Sequence, residues 1–205
     1  MLFRSSHDLN NDTAADVIAD QYLADLEKSL DAGGEKITGL TIRGTLKTCE
    51  MPVVEQSAES LRKDAEIFQP ISVQHAFRLI EMAVALEHGA DLRIMNDLQV
   101  IRFGKEISFL FIPGEYFVED GAALMARSQA KHSFAVTVAN GNGAYFPSES
   151  DMKRYPDIKS ALDCPNNCRF GFYEIYCYAG RLKFKYQDHI AEFVASNLLT
   201  MEKSI

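Results

Sequence analysis

The stretch from Ile107 to Met152 decides the predicted fold; it begins ISFLFIPGEYFVEDG and ends SFAVTVANGNGAYFPSESDM. Two apolar segments in it have the composition of buried strands, and each runs into a turn that contains glycine. Glu115 follows the first turn and Tyr145 the second, and both residue types can bind a metal or move a proton. Polar groups just beyond the carboxyl ends of apolar strands are the usual geometry of a site in an α/β sheet. The stretch therefore predicts a site formed by these two turns.

The rest of the chain alternates between helical and strand patterns. Leu92–Phe103 and Glu106–Ile112 flank Gly104 and predict a hairpin, and the continuous apolar run Ile107–Ile112 predicts a central strand covered on both faces. Further strands are predicted over 37–46, 133–139, 172–178 and 182–186, and helices over 13–31, 57–68, 72–88, 116–129 and 188–202. The predicted fold class is α/β, a mixed β-sheet with flanking helices, in a single domain over residues 1–205.

Composition and charge exclude several classes of protein. The chain has 205 residues, of which 47% are hydrophobic, and a net charge of −8, which is a globular rather than a disordered profile. No concentrated basic stripe is present, so nucleic acid is not expected as a partner; the alternating segment Arg181–Lys185 is typical of a half-exposed strand. No apolar run has the ~18–20 residues of a transmembrane segment. Met1–His7 lacks the apolar core of a signal peptide, so the chain is either cytoplasmic or a mature or truncated form.

The four cysteines leave the redox compartment open. Cys49 stands alone, whereas Cys164, Cys168 and Cys177 cluster within a short segment. Reduced structural thiols, one disulfide and part of a metal site are all compatible with this clustering, although the spacing fits no established zinc pattern.

Glu115 and Tyr145 each have a structural explanation as well as a functional one. A carboxylate at the end of a buried strand needs a cation, a metal or backbone donors, because burying it unpaired costs several kcal/mol. Glu115 could equally stabilise the N-terminus of the following helix through its charge. Tyr145 could simply anchor a mobile loop, while Gly141 and Gly143 would let the backbone approach a ligand closely.

Several short motifs occur in an order that resembles the second half of the neutral ceramidase family. These are a Pro-Gly-Glu turn at Pro113–Glu115, a strand that ends in Ala139-Asn140, a loop that carries Tyr145, and a later Tyr173-Glu174 pair before a C-terminal helix. The resemblance covers most of the chain from about Asp91 onward.

Members of that family are zinc-dependent amidohydrolases that cleave the amide of ceramide, with a zinc ion held by two histidines, a glutamate and a tyrosine. The resemblance implies that Glu115 and Tyr145 are zinc ligands and that Tyr173 is a catalytic residue. It further implies that Asn140, Gly141 and Gly143 contact a lipid-like amide substrate. Family members are often secreted or extracytoplasmic, which would bear on localisation. In such a site the metal would activate water and polarise the amide carbonyl.

The sequence departs from the family in its ligand set. The two histidine ligands and the active-site serine motif of the family lie in an N-terminal half that has no counterpart here. None of the five histidines lies in a matching motif: His7, His75, His88, His132 and His189. The resemblance therefore implies a zinc site that is weak or absent in this chain alone, with a missing N-terminal half or a homo-oligomer as the expected partner.

Three functional hypotheses follow from these observations. The first is one part of a ceramidase-like hydrolase, which is not catalytic by itself. The second is a non-catalytic ligand-binding or assembly domain, whose exposed apolar surface would favour self-association. The third is an unrelated small enzyme that uses Glu115, Glu119 and Tyr145 for acid–base chemistry, although no further nucleophile or base is evident.

Overall fold

A computed structural model of the chain describes residues 11–70, 72–91, 93–141, 145–154 and 186–205. These form two compact units, Met1–Leu40 and Thr41–Ile205. The prediction of a single domain over the whole chain stays a prediction. The α/β class with a mixed sheet and flanking helices is confirmed.

The first unit contains helix α1, Asn11–Asp31, which matches the helix predicted over 13–31. Its last turn ends near Gly33, which has φ 71° and whose N–H donates to the carbonyl of Leu30 at 3.0 Å. Glycine adopts this left-handed conformation without the steric cost that a side chain would add. The apolar side chains of α1 are exposed: Val17, Ile18, Tyr22, Leu23, Leu26 and Leu30.

The second unit is built on a four-stranded sheet with the order β1-β2-β3-β5. Its strands are β1 (Ile42–Glu50), β2 (Met95–Phe103), β3 (Ile107–Phe111) and β5 (His132–Val136). β1 and β3 both pair antiparallel with β2, whereas β5 pairs parallel with β3. The predicted β2–β3 hairpin is confirmed, and Gly104 in its turn has φ 58°. The strand predicted over 37–46 is shifted by about five residues, since its pairing with β2 begins at Ile42 and continues to Glu50.

Helices and short strands complete the second unit. The helices are α2 (Ala58–Phe68), α3 (Val73–Glu87), α4 (Val118–Arg127), α5 (Glu149–Arg154) and α6 (Ile190–Lys203), and the short strands are β4 (Glu115–Tyr116) and β6 (Tyr145–Phe146). Ser57 and Ser72 cap α2 and α3, each hydroxyl accepting a hydrogen bond from a backbone N–H of the first turn. These caps explain why both predicted helix starts are correct to within one residue. The strand predicted over 172–178 lies outside the described residues, as does the strand predicted over 182–186 apart from Tyr186, which forms an isolated bridge with Val53.

The core lies between one face of the sheet and α6. Leu98, Val100 and Leu110 point to this side and are fully buried against α6 residues such as Val194 and Leu198. Burial of such side chains contributes about 1.5–3 kcal/mol each and is the main favourable term in this unit. None of the described helices is long and apolar enough to cross a membrane.

The opposite side of the sheet is called here the aromatic face. It consists of twelve positions in three rows across the strands: Ile42, Phe103, Ile107 and His132; Gly44, Ile101, Phe109 and Phe134; Leu46, Gln99, Phe111 and Val136. Every one of these residues is half-buried or exposed. The central place of β3 in the sheet is confirmed. Phe109 and Phe111 are half-buried on the aromatic face, and the prediction that β3 is covered on both faces stays a prediction.

A buried polar cluster joins the far end of α6 to the sheet. The Glu202 carboxylate is fully buried; Oε1 accepts from the Ser128 hydroxyl at 2.6 Å and Oε2 accepts from the Gln129 N–H at 3.1 Å. The Arg102 guanidinium, which is also buried, donates to the backbone carbonyl of Glu202 at 3.1 Å. This cation lies where the helix dipole is negative, so the contact is favourable. The cluster fixes the position of α6 on the core side of the sheet.

Candidate functional site

The predicted site forms where the parallel strands β3 and β5 end side by side. The Ile112 N–H donates to the Val136 carbonyl at 2.8 Å, and the Ala139 N–H donates back to the Ile112 carbonyl at 2.9 Å. The Val138 N–H then donates to the Gly114 carbonyl at 3.0 Å. Three backbone hydrogen bonds therefore join the Pro-Gly-Glu turn to the loop that leads to Tyr145. This is the meeting of two turns at one sheet edge that the sequence predicts.

Glu115 and Tyr145 are direct neighbours in this site. They are paired residues of the parallel strands β4 and β6, as are Tyr116 and Phe146. Neighbouring strands lie ~4.8 Å apart, so the backbones of Glu115 and Tyr145 are within reach of one shared ligand. The structure thus brings together the two residues that the resemblance implies as zinc ligands, which are separated by 30 positions in the sequence.

The next pair along these strands anchors the site to the core. The Phe146 side chain is fully buried, and the Tyr116 hydroxyl donates to the Ala191 carbonyl at 2.7 Å. Burial strongly raises the pKa of Tyr116, so this phenol stays protonated and acts as a hydrogen-bond donor. Because successive side chains in a strand point to opposite sides, Glu115 and Tyr145 are directed away from this anchor. Glu115 is exposed and Tyr145 is half-buried, which suits groups that meet a ligand from solvent.

The loop that precedes Tyr145 has an unusual backbone. Val138 and Asn140 have φ values of 53° and 62°, and Gly141 has φ 127°. For a β-branched residue such as Val138 the left-handed region is strained, and strain of this kind occurs often near functional sites. The side-chain amide of Asn140 donates to the side-chain carbonyl oxygen of Gln99 at 3.1 Å, and this hydrogen bond connects the loop to the sheet.

Two of the predicted site residues, Gly143 and Tyr173, lie outside the described residues. The predicted roles of Asn140 and Gly141 in substrate binding, and of Glu115 and Tyr145 in zinc binding, stay predictions. The cysteine cluster at Cys164, Cys168 and Cys177 also lies outside the described part, whereas Cys49 is a buried free thiol.

Glu115 and Tyr145 have no evident third partner for a metal. Among the described residues, no group of three or more His, Cys, Asp or Glu side chains could hold a metal ion. Two of the described histidines form hydrogen bonds at the ends of α3. Nδ1 of His75 lies 2.8 Å from the Ser72 hydroxyl, and Nδ1 of His88 lies 2.8 Å from the Val84 carbonyl. A zinc ion normally takes at least three protein ligands. The carboxylate and phenol oxygens therefore fit only part of a zinc site.

Asp120, in the first turn of α4, is a titratable group that the sequence did not single out. Its Oδ2 atom is buried and accepts no hydrogen bond from the part of the chain that the structure describes. Burial is the main cause that raises the pKa of Asp120, and the nearby carboxylates of Glu119, Asp151 and Glu192 raise it further. Asp151 and Glu192 come from α5 and α6, so no local pattern could have revealed this cluster.

Among the described residues, one of the carboxylates beside Asp120, that of Glu192, is paired with a cation. Arg127 makes two hydrogen bonds to Glu192, at 2.6 and 2.9 Å, and these are the main cause that lowers the pKa of Glu192 to about 2. Glu192 therefore stays charged at neutral pH and adds to the negative field at Asp120.

Replacing Asp120 with asparagine is expected to raise the free energy of unfolding at pH 7 by about 0.5 kcal/mol, because the group is partly screened by solvent. A raised pKa means that the folded state binds a proton more tightly than the unfolded state. The penalty therefore applies at pH values above the raised pKa and disappears as the pH falls below the ordinary value of 3.8. Urea unfolding at pH 7 and at low pH measures this difference. The control is Glu81→Gln, an exposed carboxylate on α3 that does not contribute to the shift at Asp120, for which no gain at pH 7 is expected.

A cavity formed by other described residues lies in the second unit. It has a volume of about 640 Å³, and its lining includes Glu50, Val53, Glu55, Arg93 and Gln187. Glu115, Tyr145 and Asn140 are not among its described lining residues.

The fold and the site geometry define an α/β domain with paired oxygen donors beyond the parallel strands of a mixed sheet. No protein-family model and no curated protein matches the chain. Among solved structures it is similar to the neutral ceramidase from Pseudomonas aeruginosa, with 13% sequence identity, a TM-score of 0.48, and coverage of 98% of this chain and 34% of that chain. A ceramidase complexed with C2 is similar at 14% identity, with a TM-score of 0.49 and coverage of 96% and 35%. The chain spans about a third of the length of these solved ceramidases.

Proposed function

We propose that this chain supplies two oxygen ligands, from Glu115 and Tyr145, to a zinc-dependent amidohydrolase site that acts on ceramide-like N-acyl lipids. The observation that carries the proposal is the direct pairing of these two residues across β4 and β6. The order of the sequence motifs around them supports the same assignment. The remaining ligands, including nitrogen donors, come from a polypeptide segment outside this chain.

The chemistry of the proposed site divides between the chain and the metal. Zinc, when bound, activates water and polarises the amide carbonyl. Glu115 contributes a carboxylate that is exposed and adjacent to Tyr145, and the buried Phe146–Tyr116 pair holds both residues in register. The hydrogen bond from Asn140 to Gln99 fixes the approach of the loop, so that Asn140 and Gly141 border the site.

Zinc titration of the chain by calorimetry tests the proposal. We expect weak binding by the wild-type chain, since two ligands are fewer than zinc normally takes, and a further loss of at least tenfold in affinity for Glu115→Gln and for Tyr145→Phe. Glu119→Gln is the matched control, because it removes an exposed carboxylate in α4, the helix that follows β4. Tight binding by the chain alone that Glu115→Gln does not change would contradict the proposal.

A second candidate function, a non-catalytic ligand-binding or assembly domain, is favoured by a different observation. The aromatic face presents large apolar side chains, and Phe134 in its middle row is 47% exposed. Contiguous exposed apolar surface is uncommon on monomeric soluble proteins, and it usually marks an interaction site. Under this hypothesis Glu115 and Tyr145 have a structural role, and zinc affinity does not depend on either of them.

A further inference from the structure

The aromatic face has the composition of the centre of a protein–protein interface. Its three rows contain four phenylalanines and five aliphatic residues but no Asp, Glu, Lys or Arg side chain. The next row along the strands is polar, with the Thr48 hydroxyl donating to Asp97 at 2.6 Å. Depletion of charge together with enrichment of aromatic residues distinguishes the buried centre of an interface from ordinary protein surface.

The aromatic rings are already ordered against each other. Phe109 lies at the centre, with its ring centroid 5.2 Å from that of Phe134 and 6.0 Å from that of Phe103. The Phe111 ring is stacked 6.2 Å from Phe109 on the other side. A face of this kind loses little side-chain entropy when it is covered, because its rings are held in place beforehand.

The two edges of the face differ in side-chain size. Phe134, which is 47% exposed, lies on β5 at one edge of the middle row, and Gly44 lies on β1 at the other edge of the same row. A Cβ atom added at Gly44 would meet only ordinary contacts, at 3.5 Å from the Val100 carbonyl oxygen and 3.6 Å from Ile101 Cγ1. The glycine thus leaves a notch in the face at a position that could carry a side chain without strain.

We infer that the aromatic face is a dimer interface that packs against the same face of a second copy of this chain. A two-fold axis parallel to the strands, through the space above β2 and β3, places β1 of one copy over β5 of the other. Rotation about this axis places each row opposite the same row of the other copy. Phe134 of each copy therefore enters the notch at Gly44 of its partner. Ile101 then lies over Phe109, and Leu46 over Val136. Symmetry forms each of these contacts twice, as in an isologous interface.

The size of the face is consistent with this arrangement. Four strands and three rows cover roughly 19 by 17 Å at standard strand spacing, and the accessible area of the side chains on them exceeds that footprint. Two sheets pack face to face about 10 Å apart, a distance that phenylalanine side chains fill. This footprint, roughly 320 Å² per copy, is smaller than that of a standard specific complex, so we expect a weak, reversible dimer. This inference does not depend on zinc or on Glu115.

Sedimentation equilibrium of the full chain across a range of concentrations tests the dimer. We expect a monomer–dimer equilibrium whose dissociation constant rises at least tenfold in Phe134→Ala and in Gly44→Val. Valine suits a strand better than glycine does, so Gly44→Val is expected to keep or increase the stability of the monomer while filling the notch. Phe77→Ala is the matched control, because Phe77 is a phenylalanine on α3 that is 58% exposed and lies off the aromatic face.

Exchanging the glycine at position 44 and the phenylalanine at position 134 provides a more specific test. The double variant Gly44→Phe with Phe134→Gly moves the protruding ring to β1 and the notch to β5, and the same two-fold axis brings them together again. We expect this variant to dimerise better than either of its single substitutions. A wild-type chain that stays monomeric at all concentrations would overturn the inference. So would a dimer that Phe77→Ala weakens and Gly44→Val and Phe134→Ala leave unchanged.

Discussion

Replacing Phe146 with alanine is expected to lower the free energy of unfolding by about 3–5 kcal/mol, the usual cost of removing a buried aromatic side chain. Phe146 is fully buried, and its ring packs edge-to-face on Tyr186 at a centroid distance of 5.1 Å. It also lies in the core cluster that joins the sheet to α6. The loss therefore combines the lost transfer energy of the ring with the cavity that remains.

The same substitution is expected to loosen the candidate site. β6 consists of Tyr145 and Phe146 alone, so the pairing of Tyr145 with Glu115 depends on the anchoring of Phe146. Hydrogen exchange of the amides of β4 and β6 should become faster in Phe146→Ala than the global loss of stability explains. Urea unfolding gives the global value, and Phe77→Ala, which removes a 58% exposed ring, is expected to cost well under 1 kcal/mol. If Phe146→Ala costs no more than Phe77→Ala, the anchoring role of Phe146 is wrong.

Replacing Glu202 with alanine is expected to destabilise the chain by about 3 kcal/mol, because it removes one member of a buried charged cluster. The half-buried Ser128 hydroxyl and the Gln129 N–H both lose their acceptor. The hydrogen bond from the buried Arg102 guanidinium to the backbone carbonyl of Glu202 is not removed by this substitution. Both losses have the same sign.

A more conservative variant separates the hydrogen bonds from the packing. Glu202→Gln keeps the shape of the side chain and one acceptor oxygen, so it retains the Ser128 contact but not the acceptor for Gln129. We expect it to lose about 1–2 kcal/mol in urea unfolding, between the values for wild type and Glu202→Ala. Glu149→Gln on the exposed side of α5 is the control and is expected to change stability by less than 0.5 kcal/mol. Equal losses for Glu202→Gln and Glu202→Ala would show that charge rather than hydrogen bonding dominates.

The sequence predicted those features of the fold that local physics determines. Ser57 and Ser72 each precede a helix and cap it, and Gly104 marks the turn of the β2–β3 hairpin. The neighbourhood of Glu115 and Tyr145 was also predictable, because both follow apolar strands whose carboxyl ends meet at one sheet edge. Each of these features requires only residues close together in the chain, or a simple rule of sheet topology.

Features that depend on distant partners were not predictable from pattern alone. Helix α3 has apolar residues on more than one side: Phe77, Ile80 and Val84 are exposed, whereas the side that packs consists of Ala76, Leu79, Met82 and Ala83. The carboxylates around Asp120 come from three elements, and the contact between Arg102 and Glu202 spans 100 residues. Such pairings are determined by the tertiary structure, which a single sequence does not reveal.

The position of α6 along the chain has a consequence for biosynthesis. All four strands of the main sheet precede α6, which supplies the side chains that cover the core face of that sheet. On a ribosome the sheet emerges with Leu98, Val100 and Leu110 uncovered, and they stay uncovered until Ile190–Lys203 has been synthesised. During that interval this apolar core face lacks the cover that α6 provides. A chaperone that shields apolar surface would therefore act on the unfinished chain, and the core face no longer needs it once α6 docks.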